Sequence, residues 1–211
     1  MKGYIFDMDG TLLDSIKAWH NIGNRYLESL GLDTDPDLDD KLAHLELLEG
    51  AEYMNNQFHL NKTNEEIVKD IKNIIKDKYE HEILLKEGVK DFLQKCQDSH
   101  YKMCVLTASD SSLAKKAFQR LGILKYFDDV YACYEICLTK TNPQSYIEVA
   151  KRMGLKPTEC IIVEDALYAI KTAKKAGFYV KAIYDKFNDN DWETIKDIAD
   201  ESYYTFKDMK I

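Results

Sequence analysis

Three short apolar runs in this chain end in polar residues: KGYIF closes on Asp7, KMCVL closes on Thr107, and CIIVE runs into Asp165. Asp9 follows Asp7 by two positions, and Glu164 stands directly before Asp165. If the runs are strands of one parallel sheet, these groups arrive together at its carboxyl end, where open α/β sheets bind their ligands. Four carboxylates then crowd one site. Like charges at that range either force a proton onto one group or require a cation, and hard, all-oxygen donors suit Mg²⁺.

The surrounding pattern supplies the elements this placement needs. Short, continuous apolar runs read as buried parallel strands. Helical patterns over 88–99, 111–121, 143–153 and 166–176 alternate with them, and a further strand fits over 178–183. Gly122, Gly154 and Gly177 each follow a helical stretch, where a left-handed C-cap is wanted. Strand alternating with helix predicts an α/β, Rossmann-like parallel-sheet core. The stretch from 14 to 82 breaks the alternation and reads as successive helices. Its first helical pattern carries Ile16, Trp19, Ile22, Tyr26, Leu27 and Leu30 and stops at Gly31. Its last opens on the capping-box sequence from Thr63 to Glu66. The predicted division is therefore a core of 1–13 and 83–211 with a helical subdomain at 14–82 inserted in it.

Composition narrows the function classes. With 211 residues, 45% hydrophobic and 31% charged, and with only three prolines, the chain is expected to fold around a sizeable core. A net charge of -8 repels phosphate backbones and anionic lipid, which argues against nucleic-acid or membrane partners. Residues 14–82 hold eight Lys+Arg against sixteen Asp+Glu, so the whole acidic excess falls on the insert. No apolar run approaches the roughly 20 residues of a spanning helix. The start, MKGYIFDMDG, lacks the pattern of a signal peptide, which predicts a cytoplasmic protein, here expected to be a monomer. Cys96, Cys104, Cys133, Cys137 and Cys160 show no CxxC pair and read as reduced thiols; without a nearby histidine, Cys133 and Cys137 are a poor zinc pair.

The sequence DMDGTLLDS from Asp7 resembles the first motif of the haloacid dehalogenase superfamily. Thr107 in LTAS resembles the second motif, Lys140 the third, and VED at 163–165 the fourth, in the right order along essentially the whole chain. The insert is similar to the helical cap of the family's phosphatase and β-phosphoglucomutase branch. The resemblance implies that Asp7 is a nucleophile forming an aspartyl-phosphate, and that Asp9 is the acid/base for leaving group and water. It also implies a Mg²⁺ held by the Asp7 carboxylate, the Asp9 backbone carbonyl and Asp165, with Glu164 supporting its water shell. The Thr107 hydroxyl and the Ala108 N–H would bind phosphoryl oxygens, with Lys140 neutralising charge between nucleophile and phosphate. Two departures stand out: Thr139 and Thr141 replace the glycine and proline usual around the third-motif lysine, and Ala169 stands where a glycine is common.

A second aspartate two positions after the first favours phosphoryl transfer over dehalogenation, which needs no acid for its leaving group. The expected function is a Mg²⁺-dependent phosphatase for a small phosphorylated metabolite. The alternative is a β-phosphoglucomutase-like phosphomutase, and a catalytically silent binding module on the same fold is the reading from a different class. A mutase needs cations for a distal phosphate. The insert offers one arginine, Arg25, while Lys62, Lys69, Lys72, Lys76 and Lys78 gather on or beside one helix. The insert is expected to act as a lid. Trp19, His20, Arg25, His44, Glu46 and Glu49 are candidates for facing the substrate, although Trp19 fits the apolar stripe and His20, His44 and Glu46 fit solvated helix positions. His81 reads as a solvated linker residue.

Overall fold

A computed structural model of the chain describes residues 1–42, 45 and 47–211, so the candidates His44 and Glu46 lie outside the described residues. The described strands form one parallel six-stranded sheet in the order β3-β2-β1-β4-β5-β6: β1 (Gly3–Phe6), β2 (Lys102–Thr107), β3 (Asp129–Ala132), β4 (Cys160–Glu164), β5 (Tyr179–Ile183) and β6 (Glu201–Tyr203). β1 sits centrally, and all four of its residues are buried. Side chains alternate across a strand. Tyr4 and Phe6 therefore join Phe92 and Phe127 in an aromatic cluster, with Phe6 to Phe127 centroids 6.0 Å apart. Ile5 instead packs with Leu106, Ile162 and Val149. Cover on both faces explains why these strands read as unbroken apolar runs rather than as alternating ones.

In chain order the helices are α1 (Ile16–Trp19), α2 (Ile22–Ser29), α3 (Leu38–Leu42), α4 (Leu47–Phe58), α5 (Asn64–His81), α6 (Val89–Asp98), α7 (Ser111–Arg120), α8 (Pro143–Arg152), α9 (Leu167–Lys175) and α10 (Trp192–Ile198). The chain divides into two compact units, Met1–Asp14 with Leu84–Ile211 and Ser15–Ile83. The first holds the sheet. Glycines at 122, 154 and 177 adopt φ of 71°, 71° and 83° just after helices, as their positions suggested.

The second unit is helical and has its own core of Tyr26, Leu27, Leu38, Ala51, Met54, Ile67 and Ile71. Its opening differs from the single helix the apolar spacing suggests. Asn21 adopts φ 62°, a left-handed turn that separates α1 from α2. The break is held locally: Asn24, almost fully buried, donates from Nδ2 to Asn21 Oδ1 and to the Asp35 carbonyl, both at 2.8 Å. The i, i+3/i+4 spacing of apolar residues runs on across this two-residue break, His20 and Asn21, so the pattern does not reveal it. α5 begins with the capping box its sequence carries: Glu66 N–H donates to Thr63 Oγ1 at 3.2 Å and Thr63 N–H to Glu66 Oε2 at 2.8 Å.

Candidate active site

The site follows from sheet order. β1 lies between β2 and β4, in register Phe6↔Val105 and Phe6↔Val163, so the first residues past β1 and the last of β4 must meet. The Asp7 N–H continues that ladder, donating to the Val163 carbonyl at 2.9 Å. Asp7, Glu164 and Asp165 each bring a carboxylate oxygen within 4.8 Å of the others, and all three residues are buried. Lys140 reaches them from the segment before α8. Its buried Nζ donates to Asp7 Oδ1 and, at 2.6 Å, to Glu164 Oε1. The missing proline after Lys140 is accommodated two positions later, where Asn142 caps α8 and Pro143 takes its first turn.

One lysine among three buried carboxylates leaves surplus negative charge in a poorly solvated place. The ionisation of the group reflects it. Burial would by itself lower the Lys140 pKa, yet the facing Asp7 and Glu164 carboxylates hold it well above its ordinary value. Burial raises the Glu164 carboxyl against the pull of Lys140, and burial with the Asp7 and Glu164 charges raises Asp165 well above the ordinary carboxylate range. A bound cation would remove that surplus, and the donors are all hard oxygens; the residues fit a divalent metal such as Mg²⁺.

The first loop is shaped around Asp165. Gly10 adopts φ 82°, and a Cβ there would collide with the Asp165 carboxylate, so both backbone and space exclude a side chain. The next residue, Thr11, donates from Oγ1 to Asp165 Oδ1 at 2.8 Å. Asp9 does not join the other carboxylates: its Oδ2 accepts from Ser109 Oγ at 2.7 Å. Thr107 is buried at the end of β2 with its Oγ1 accepting from the Ser109 N–H at 3.0 Å, and Ala108 beside it is exposed. The structure thus gathers Asp7, Glu164, Asp165 and Lys140, and ties Asp9 to Thr107 through Ser109. Ala169, the other departure, is fully buried in α9.

Several contributors carried no signal by themselves. Ser109, Thr11 and Gly10 lie inside the quoted motifs and could have been singled out there. Tyr146, whose hydroxyl donates to Glu164 Oε1 at 3.3 Å, and Asn188 come from remote helices and turns and could not. Within the helical unit, Trp19 Nε1 donates to the Tyr79 hydroxyl at 3.2 Å, His20 pairs with Asp39 at 3.2 Å, and His81 with Asp77 at 3.0 Å. Arg25 is half-buried and Glu49 exposed. Cys96, Cys104, Cys133 and Cys160 are buried, Cys137 is exposed, and all are free thiols. No described helix is long and apolar enough to cross a membrane.

The chain is similar to known proteins along most of its length. Residues 4–183 match the family model of haloacid dehalogenase-like hydrolases. Fructose-1-phosphate phosphatase YqaB of Escherichia coli is 30% identical over 187 residues, covering 83% of this chain and 92% of that protein. A phosphorylated carbohydrates phosphatase of Thermotoga maritima is 27% identical over 186 residues, covering 87% and 84%. Among solved structures, a HAD hydrolase of family IA, variant 3, from Entamoeba histolytica superposes with a TM-score of 0.81 at 19% identity over 100% of this chain and 96% of that one, a likeness of fold. A parallel α/β sheet with carboxylates and a lysine gathered at its carboxyl edge defines the class. The chain belongs to the haloacid dehalogenase-like hydrolase family.

Proposed function

We propose that this enzyme is a Mg²⁺-dependent phosphatase that hydrolyses a small sugar phosphate through an aspartyl-phosphate on Asp7. The observation that carries the reading is the buried group of Asp7, Glu164, Asp165 and Lys140 at the ends of adjacent strands. Sugar phosphates are the class named for the two relatives above.

Asp7 attacks phosphorus with a carboxylate oxygen, forming the acyl-phosphate bond while the bond to the sugar oxygen breaks. Asp9 gives that oxygen its proton. The resulting Asp9 carboxylate then takes a proton from water, which attacks the acyl-phosphate, releases phosphate and restores Asp7. Ser109 Oγ donates to Asp9 Oδ2 at 2.7 Å, a contact that would orient the acid/base carboxyl. The Thr107 hydroxyl and the Ala108 N–H hold phosphoryl oxygens. Lys140 offsets the charge of Asp7 as the phosphate dianion approaches. Asp7, Asp165 and the Asp9 carbonyl would hold the metal, with Glu164 behind it; when bound, Mg²⁺ supplies charge neutralisation at the phosphoryl group.

Magnitudes favour this division of labour. Phosphate-monoester hydrolysis demands rate enhancements approaching ~10²¹, more than about 20 kcal/mol. General acid-base help contributes only about 10² to 10⁴, so positioning and charge stabilisation carry most of it. The expected reaction is hydrolysis, since the single arginine of the insert is a sparse provision for the second phosphate a mutase must hold.

A panel of sugar monophosphates scored for released phosphate tests the proposal. Turnover should require Mg²⁺ and fall by about 10⁴-fold or more in Asp7→Asn, the scale seen when nucleophiles are removed elsewhere. Full activity in Asp7→Asn would refute the nucleophile. Isomerised sugar phosphate in place of free phosphate would establish the mutase.

A further inference from the structure

The Asp165 carboxylate is gripped on both oxygens. Thr11 Oγ1 donates to Oδ1 at 2.8 Å, and Asn188 Nδ2 donates to Oδ2 at 2.7 Å and to the Asp165 carbonyl at 3.2 Å. Thr11 belongs to the first motif. Asn188 comes from a 3₁₀ turn, Lys186–Asp191, that follows β5. In that turn Asn188 departs from helical geometry, with φ -103° and ψ 17°.

The turn is anchored through its N-cap residue. Asp185, buried at its start, accepts from the Phe187 N–H at 2.9 Å, and Asn188 N–H donates back to the Asp185 carbonyl at 3.0 Å. Asp185 Oδ2 pairs with Lys86 Nζ at 2.8 Å, and that ammonium also donates to the Tyr184 carbonyl at 2.7 Å. The Lys86 backbone N–H in turn donates to the Leu12 carbonyl, beside Thr11. A shielded ion pair is a weak source of stability, because desolvation offsets its attraction; what it fixes is geometry. Here it fixes the turn that aims Asn188 and ties it to the loop that aims Thr11.

We propose that Asn188 is a positioning residue for the metal: its amide orients the Asp165 carboxylate for a divalent cation, and the Lys86–Asp185 pair holds the turn that presents it. The proposal rests on the reading of Asp165 as a metal ligand. A carboxylate oxygen has two lone pairs. One donor on each oxygen fixes the plane of the group while leaving each oxygen able to meet a cation. Outer partners of this kind typically carry 10- to 100-fold in metal affinity, roughly.

The test is a titration of the full chain with Mn²⁺, followed by the electron-paramagnetic-resonance signal of the free ion, without substrate. Asn188→Ala should bind Mn²⁺ about 10- to 100-fold more weakly while still unfolding in one cooperative transition in EDTA, well above the titration temperature, so that the lost affinity is not lost fold. Asn188→Leu, which keeps the shape but removes the donor, should show the same loss. In both, the metal concentration for half-maximal turnover should rise while substrate KM at saturating metal stays put. Wild-type Mn²⁺ affinity in Asn188→Ala, or its recovery in Asn188→Leu, overturns the proposal. Asp165→Asn is the control: it should bind no Mn²⁺, and wild-type binding there would sink the metal reading itself.

Discussion

Lys140 is the residue on which the buried charges depend. It faces Asp7 and Glu164 at once, with a side chain only 5% exposed. Exposed ion pairs contribute little, but removing one partner of a buried group such as this strands the other charges, at a cost of about 3–5 kcal/mol. Lys140→Met should therefore lose stability of that order in urea denaturation in EDTA, besides losing phosphatase activity. A variant as stable as the wild type would show that the carboxylates do not need this cation. Gly10 and Thr11 illustrate the same dependence from the other side, since one leaves room for Asp165 and the other donates to it.

Between elements, the close approach of α2 to α3 sets a sharper requirement than helix propensity does. Gly23 lies within α2, and a Cβ there would come within 2.7 Å of Leu42 and 2.9 Å of Leu38. Alanine is the better helix former by about 0.5–1 kcal/mol, while overpacking a tight contact costs about 1–3 kcal/mol. The second effect wins, so Gly23→Ala should lower stability to urea, and an increase would mean that the leucines move aside freely. The short edge strands follow a similar logic. β3 and β6 escape an apolar-run search because β3 alternates buried and half-buried residues and β6 spans only Glu201–Tyr203, nowhere fully buried. Strands this short take their place from the ladder beside them.

At the scale of the molecule, a cation that binds the native site and not the unfolded chain must raise the melting temperature. At about 100 times its Kd the gain is ~2.7 kcal/mol, which for a chain of this size corresponds to about 5–10 °C. Mg²⁺ should produce such a rise in the wild type and not in Asp165→Asn; equal shifts in both would place the metal elsewhere. What the sequence by itself determined was local: apolar runs ending at Asp7, Thr107 and Glu164, the Thr63 capping box, the glycines after helices, and a motif order that identifies the family. These are legible because strand burial, caps and turns depend on neighbours a few residues away. Only the tertiary structure decided which of those groups meet. Placing β1 between β2 and β4 brings Asp7 to Glu164 and Asp165, and the folding of the first loop sends Asp9 to Ser109 instead. The Asn21 break and the grip of Asn188 on Asp165 were equally hidden, because a hydrogen bond between residues 23 positions apart leaves no periodic trace in a chain.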